Sequence, residues 1–504
     1  MVGGMTNAWD KLYPRLEELA GISHAIKLMY WDQSVMMPAA GSESRARGLG
    51  TLEALAHERL IDPEIGDLIG RLEGDDSLDP DQKAHIRVLR REYDKAVRVP
   101  SDLVAAMAKE SALAYPVWME AREKSDFEMF LPHLDRLVDL KKQEADALGW
   151  ERERYDALLD QFEPDMTATE VEDMFTDLVT GLKPLMDAVF AGPGDPPEFL
   201  SGDYEVSRQG EFCQWLVEQV GFDTEAGRLD ISPTHPFTMG VGKGDTRQTA
   251  RTDPKNFLDA LYAALHETGH ALYDQGIPDR LAELPAGTIP SLGMHESQSR
   301  LWENQVGRSR AFTSWMLPHL KESFPRELGG VDPDEFFFGV NYPQRTFIRI
   351  SADELTYNFH IVLRFELELA LFRDEIEVGD LAEAFKDKLE QHLGIRPEKD
   401  SDGVLQDVHW SNNLFGYFPT YTLGSLYAAA FFQKADEELG GLAEDLSRGD
   451  GSRLLAWLRE NIHRQAYLKM PREVAEDALG GPPSSKPFID YLTEKYRSLY
   501  DLSL

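Results

Sequence analysis

One cysteine, Cys213, stands among 504 residues, which excludes an intrachain disulfide, an iron–sulfur cluster and a thiolate zinc site. Positive charge is also scarce: 52 Lys and Arg face 89 Asp and Glu, for a formal net charge of -37. Such a surface repels a phosphate backbone, so nucleic acid is excluded as a partner. No apolar run reaches membrane-spanning length, and the N-terminal MVGGMTNAWDKLY has no apolar core of signal-peptide length. The expectation is a soluble, cytoplasmic protein with no membrane partner. Fixed-period repeats and low-complexity tails are missing too. What is present, 42% hydrophobic and 10% aromatic residues, suffices to bury a core.

Apolar residues spaced three and four apart, with charges between them, predict helices over most of the chain, as at 81–99, 101–121 and 130–148. Pro100 followed by Ser101 and Asp102 reads as one helix ending and the next being capped. The strongest cluster of breakers is GPGDPP at 192–197. Helical patterning resumes on both sides of it, which favours a surface connection within a single domain over residues 1–504. Only residues 228–251, RLDISPTHPFTMGVGKGDTRQTAR, depart from this rule. Their alternation and the Gly-rich turn at 242–245 predict a short antiparallel β ribbon.

Directly after the ribbon comes HETGH at 266–270. The preceding Thr252, Asp253, Pro254 and Lys255 offer a cap and a proline for the first helical turn, and Gly276 with Pro278 ends the helix. Leu258, Leu261, Leu265 and Leu272 form its apolar face. In that phase His266 and His270 lie one turn apart on one side, placed to share a zinc ion, and Glu267 can reach a water on the metal without ligating it. Gly269 costs roughly 1 kcal/mol relative to Ala inside a helix, which implies close approach by another segment. A catalytic zinc needs a third protein ligand and an open position. His295 and Glu296 in GMHESQSR (293–300), and Glu303 beyond it, are all candidates, and spacing does not choose among them.

HPF at 235–237, DTRQT at 245–249, HETGH, HESQ at 295–298, IRISAD at 348–353 and GVLQDVHW at 403–410 together resemble the carboxypeptidase Taq family of metallocarboxypeptidases. YWDQSVMMPAAGSESR near the N-terminus and YDALLDQFEPDMT at 155–167 extend the resemblance over nearly the whole chain, with Asp165 a departure where Gly is expected. The resemblance implies a large, mainly α zinc-peptidase fold with a deep central groove, N-terminal helices as a lid, and the ribbon beside the active-site helix. It implies a homodimer that removes C-terminal residues from peptides with a free C-terminus. It also implies His266, His270 and Glu296 as ligands of one zinc per chain, with cobalt able to substitute, and Glu267 as the catalytic base.

On that reading zinc and Glu267 activate water, and the oxyanion needs zinc plus a hydrogen-bond donor. His409 and Tyr417, the latter in LFGYFPTY, are the donor candidates. A free carboxylate is best held by Arg, and Arg247 and Arg349 stand in the motifs. The structural alternative for Arg349 is an i,i+4 pair with Asp353. His235 is a pocket candidate because its ribbon precedes the zinc helix, and the ribbon edge can pair with an extended peptide. A zinc oligopeptidase on the same helical fold would use the same apparatus, whereas a scaffold with a structural zinc has no use for Glu267.

The acid excess carries the first prediction. Area scaling for a monomer of this size gives about 19,000 Å² of surface, hence roughly one uncompensated negative charge per 500 Å². Lys supplies only 19 of the basic residues and Arg 33. That is not the Lys and Glu enrichment of a hyperthermophile, and it favours a halophilic setting. High net charge destabilises the compact state by self-repulsion, and the Debye length falls from about 8 Å at physiological salt to about 3 Å at 1 M. Thermal midpoint and activity are therefore expected to rise together from dilute buffer to molar KCl or NaCl, at fixed zinc and pH. A melting curve and a rate that stay flat or fall over that range overturn this.

Overall fold

Helices appear where the apolar spacing places them, and local capping sets their ends. The computed structural model describes residues 7–192, 194–233 and 235–502, and the chain is mainly α. The helix expected at 81–99 is Pro80–Arg98, started by a capping box in which Asp79 and Gln82 each accept the other's backbone N–H. The helices expected at 101–121 and 130–148 are Ser101–Lys124 and Phe127–Leu148. Of the cap expected at Ser101 and Asp102, the N-cap position falls to Pro100, which makes no side-chain bond, while Asp102 Oδ1 accepts the Leu103 N–H at 3.0 Å. Residues 192–197 connect the helix Ala168–Phe190 to the 3-10 turn Glu198–Ser201, with Pro193 outside the described residues.

The β region differs from the expected ribbon. Three strands form, β1 (Gly227–Ile231), β2 (Thr238–Gly242) and β3 (Asp245–Ala250), in the order β1-β3-β2. β2 and β3 are an antiparallel hairpin turned at Lys243 and Gly244, where Gly244 takes a φ of 71°. β1 instead pairs parallel with β3, from Gly227 opposite Thr246 to Ile231 opposite Ala250. Pro233 and Pro236 lie between β1 and β2 and have no N–H to donate, so pairing lapses there and the chain passes to the far edge of β3.

One large apolar core runs from Ala114 to Tyr496. The N-terminal helices Ala8–Val35, Pro63–Leu72 and Pro80–Arg98 close a second, smaller one around Leu12, Leu16, Ile69 and Leu89. Between those helices and β2 lies a chamber of about 1040 Å³, lined by Leu16 and Lys27 on one side and by Thr238, Gly240 and His295 on the other. The groove is thus walled by a unit with its own apolar packing.

A buried carboxylate ties distant motifs together. Glu368, on the helix Tyr357–Phe372, accepts from Tyr155 Oη at 2.8 Å, Trp410 Nε1 at 2.7 Å and the Gly416 N–H at 3.0 Å. Burial pushes its pKa up to about 7, against the pull of those donors. Gly416 has a φ of 81°, and a Cβ there would lie 2.7 Å from the carbonyl carbon of Leu158. Left-handed backbone and overpacking each disfavour a side chain, so Gly416→Ala is expected to cost about 2–4 kcal/mol. Urea unfolding measures it, and a loss below about 0.5 kcal/mol, the range of neutral surface changes, contradicts this account.

Candidate metal centre

The helix Phe257–Asp274 presents His266, Glu267 and His270 within one turn. It begins later than the sequence suggested: Asn256 is the N-cap and Pro254 lies in the turn before it. The helix Leu292–Arg300, capped by Ser291 Oγ on the Met294 N–H at 3.0 Å, brings Glu296 to the two imidazoles. The approach expected at Gly269 is met: a Cβ there would lie 2.4 Å from the Gln298 carbonyl oxygen and 2.5 Å from Ser299 Cα. Across from it the helix Pro419–Leu439 passes Glu296 at Gly424, where a Cβ would lie 2.4 Å from Glu296 Cγ.

Glu296 Oε2 stands 3.5 Å from His266 Nε2 and 3.4 Å from His270 Nε2, and the ligand atoms of the three residues all lie within 4.8 Å of one another. A tetrahedron with bonds of 2.0–2.1 Å has edges of about 3.3–3.4 Å, so the two edges from the Glu296 oxygen to the imidazole nitrogens are those of a shared divalent metal. His266 Nδ1 faces Glu303 Oε2 at 2.9 Å, which directs its Nε2 lone pair to the cluster. Glu303 sits on the π-helical turn Leu301–Val306 that continues the Glu296 helix. Of the alternatives left open by spacing, Glu303 therefore orients His266, and His295 turns away. The His295 ring stacks on His270 at 4.2 Å and its Nε2 meets Asp274 Oδ1 at 3.2 Å.

Charge is arranged in layers around these donors. Burial would raise the Glu296 carboxyl, but Arg300 and His266 hold it well below the usual range. Arg300 Nε donates to Glu296 Oε1 at 2.7 Å and its Nη1 to Glu303 Oε2 at 3.3 Å, with the guanidinium 4.2 Å from the Tyr357 ring centre. Glu303 is likewise pulled down to about 2, burial being outweighed by Arg300 and His266. Glu267 has no arginine. Its Oε2 accepts from Thr238 Oγ1 at 2.8 Å, and burial raises its pKa despite His266 and that hydrogen bond. Thr238 opens β2, and Gln248 on β3 accepts from Thr268 Oγ1 at 3.0 Å, so the sheet is fastened to the helix beside Glu267.

His409, Tyr417 and Arg349 converge nearby. His409 Nε2 is 3.1 Å from Tyr421 Oη, and the His409 and Tyr417 rings lie 5.3 Å apart. Tyr417 precedes the helix Pro419–Leu439 and Tyr421 falls in its first turn. Arg349 occupies a 3-10 turn, Arg349–Ser351, and its pair is Asp407, not Asp353: Nε donates to Asp407 Oδ1 at 2.9 Å and Nη1 to Tyr357 Oη at 3.2 Å. Asp353 is spent on the backbone N–H groups of Gln344 and Leu355 and on Thr356. Arg364 takes the other oxygen of Asp407 at 2.6 Å. His235 is exposed; loss of hydration among its neighbours, then the charges of His266, Arg349 and Arg251, push its pKa down, and Glu296 opposes them. Arg247 is not brought to the donors. It is held by Asp245 at 2.7 Å and lies 5.8 Å from the Trp31 ring centre, on the strand position next to Gln248 and so on the opposite sheet face.

Sequence reasoning missed Thr238, Arg300, Tyr421, Asp407 and Arg364. Arg300 and Tyr421 could have been found, each standing four residues after a residue already singled out. Thr238, Asp407 and Arg364 carry no local signal, because their partners are 29, 58 and 43 residues away.

A sequence profile for the carboxypeptidase Taq (M32) metallopeptidases matches residues 11–496. Thermostable carboxypeptidase 1 of Thermus thermophilus is 43% identical over 511 residues, covering 98% of this chain and 99% of the relative. Thermostable carboxypeptidase 1 of Pyrococcus furiosus is 37% identical over 489 residues, covering 96% and 98%. The crystal structure of an M32 carboxypeptidase from Deinococcus radiodurans superposes with a TM-score of 0.96 at 39% identity, over 98% of this chain and 100% of that one.

If Glu296 is the third ligand and His295 is not, Glu296→Ala should lose most bound metal on dialysis, while His295→Ala keeps most of it. Loss of one His-type or carboxylate ligand removes a bond outright, whereas a supporting contact costs about 10–100-fold in affinity. Metal content by atomic spectroscopy checks this, and the reverse order reassigns the ligand.

Proposed function

The chain belongs to the carboxypeptidase Taq (M32) family of metallopeptidases, and from that membership we propose that His266, His270 and Glu296 hold the divalent metal of this carboxypeptidase and that Glu267 is its general base. The observation that carries the assignment is the meeting of two imidazole nitrogens and one carboxylate oxygen beside a buried carboxylate that, among the described residues, is bound by a threonine alone. A His, His, Glu donor set suits zinc, one ion per chain, with cobalt able to take its place.

When bound, the metal supplies Lewis-acid chemistry, polarising the scissile carbonyl and lowering the pKa of water. Glu267 takes a proton from the attacking water. Thr238 fixes its Oε2, leaving Oε1 for the transfer, and the raised pKa lets the carboxyl keep that proton until the leaving nitrogen needs it. Tyr417 and Tyr421 donate to the carbonyl oxygen as it gains charge. Burial and the Glu296 charge push the Tyr417 phenol up to about 12, so it stays protonated as a donor. Burial pushes His409 down to about 3, with Arg349 adding and Asp407 opposing; the ring stays neutral and orients Tyr421 through Nε2. Arg349 takes the C-terminal carboxylate of the peptide. It and Arg364 share the single Asp407, so this buried cluster keeps a net positive charge for that purpose. His235 flanks the same space, and Arg247 keeps the sheet on the first helix.

The same proposal takes the chain as one domain with the N-terminal helices as a lid, acting as a homodimer in a salt-rich cytoplasm. Among the described residues no helix is long and apolar enough to cross a membrane. The runner-up is an oligopeptidase that cuts internally. Mass spectrometry of a peptide with a free C-terminus and of its C-terminally amidated twin separates the two: stepwise loss from the free acid alone is expected, and internal cleavage of the amide gives the other reading. In the same assay Glu267→Gln should retain its metal and lose about a hundred- to ten-thousand-fold in turnover. Near-normal turnover would sink the assignment of the base.

A further inference from the structure

The chamber between the N-terminal helices and β2 adjoins the donor cluster through Thr238 and His295, and neither Arg349 nor His409 nor Tyr421 lines it. A peptide whose C-terminal carboxylate sits at Arg349 therefore runs the other way, with the residues before the scissile bond in the chamber. Five cations line this space, and four are engaged by the protein itself. Lys243 pairs with Asp279 at 2.9 Å, Arg91 and Lys95 both pair with Asp160 at 2.5 and 3.3 Å, and Lys27 Nζ donates to the Gly240 carbonyl at 2.9 Å.

Arg459 is the exception. It lies on the helix Ser452–Asn461, lines the chamber, and has a buried Nε with no hydrogen-bond partner among the described residues. Among the described residues Asp223 is the one carboxylate within electrostatic reach, and it makes no ion pair with the guanidinium; desolvation and the Arg464 charge both disfavour the cation there. In a chain with 89 acidic residues, an unpaired and partly desolvated guanidinium facing a substrate space is an unmet demand for an anion.

We infer that Arg459 is an anion subsite of the chamber, which takes the side chain of a Glu or Asp in the part of the peptide upstream of the cleaved bond. This rests on the carboxypeptidase reading with Arg349 at the C-terminal carboxylate. Arg459 lies within electrostatic reach of Asp223, whose backbone N–H donates to Gln275 Oε1 at 3.0 Å, and Gln275 is the C-cap of the helix that bears His270. Five residues of helix rise about 7–8 Å, the reach of two to three extended residues. The subsite thus meets a side chain a few residues before the bond. The structural alternative is a cation that merely favours the C-terminal end of that helix, and such a role is blind to the charge of the peptide.

Binding of a seven-residue peptide series to the zinc-loaded Glu267→Gln protein, followed by calorimetry, tests this without consuming the peptide. Each peptide has a free C-terminus and one Glu or Gln placed two, three, four or five residues before the bond. At one of these positions Glu should bind about 3- to 10-fold more tightly than Gln, the scale of a partly buried charge pair. Arg459→Lys should retain the preference in part, Arg459→Ala should abolish it and Arg459→Glu should invert it, and 1 M KCl should shrink it in the parent protein. A Glu-to-Gln ratio that is the same with Arg459 and with Ala at every position overturns the subsite, as does failure of every peptide to bind. Turnover of the Gln peptides by the unmutated enzyme is read separately. Release of C-terminal residues with a flat binding ratio overturns only the subsite, and internal cleavage overturns the carboxypeptidase reading while leaving an Arg459-dependent ratio in force.

Discussion

The candidate metal centre depends on how closely three helices can approach. Two of its donors share one helix and are placed by helical pitch alone, but Glu296 comes from another helix, so its distance to the imidazoles is the distance between backbones. Gly269 sets one side of that spacing and Gly424 the other, since a Cβ at either would fall 2.4 Å from a neighbouring heavy atom. At Gly269 the obstacle is backbone, which cannot rotate aside as a side chain would. Each glycine weakens its helix by about 1 kcal/mol relative to Ala, and the close-packed interior makes the resulting separation the one at which the carboxylate oxygen reaches both nitrogens.

Around that geometry the chain sorts its buried carboxylates by partner. Glu296 and Glu303 share Arg300, and Asp407 shares Arg349 and Arg364. All three are held below the ordinary carboxyl range although burial alone would raise them. Glu267 is as buried as these but, among the described residues, its side chain accepts from a hydroxyl and pairs with no guanidinium, and its pKa moves up. One residue type is thus held as an anion or pushed toward its neutral form according to whether a guanidinium stands beside it. The same logic makes Arg459 conspicuous, because there the guanidinium is present and the anion is not.

The sheet is small, yet it joins the two halves of the groove. Thr238 and Gln248 reach the helix that bears the imidazoles. On the opposite side of the ribbon region, Phe237 lies 5.3 Å from Trp31 and Arg247 lies over the same indole. Movement of the N-terminal helices would therefore be felt at β2, whose first residue holds Glu267. Glu368 does the equivalent work behind the tyrosines, fastening Tyr155, Trp410 and Gly416 to one carboxylate.

What the sequence by itself determined is what local periodicity and short spacing can encode. Helices at 81–99, 101–121 and 130–148, the imidazoles one turn apart with Glu267 between them, and the need for close approach at Gly269 all follow from residues within a few positions of one another. The family resemblance added Glu296, which spacing alone left level with His295 and Glu303. Tertiary structure decided the rest. It paired β1 with β3 across two prolines, gave Arg349 to Asp407 instead of Asp353, turned His295 to Asp274 and Glu303 to His266, and left Arg247 on the far face of the sheet. These are pairings between segments tens of residues apart, where the energy of burying a charge or a backbone N–H is satisfied by whichever partner the packing of helices delivers, and no local pattern in the chain records which one that is.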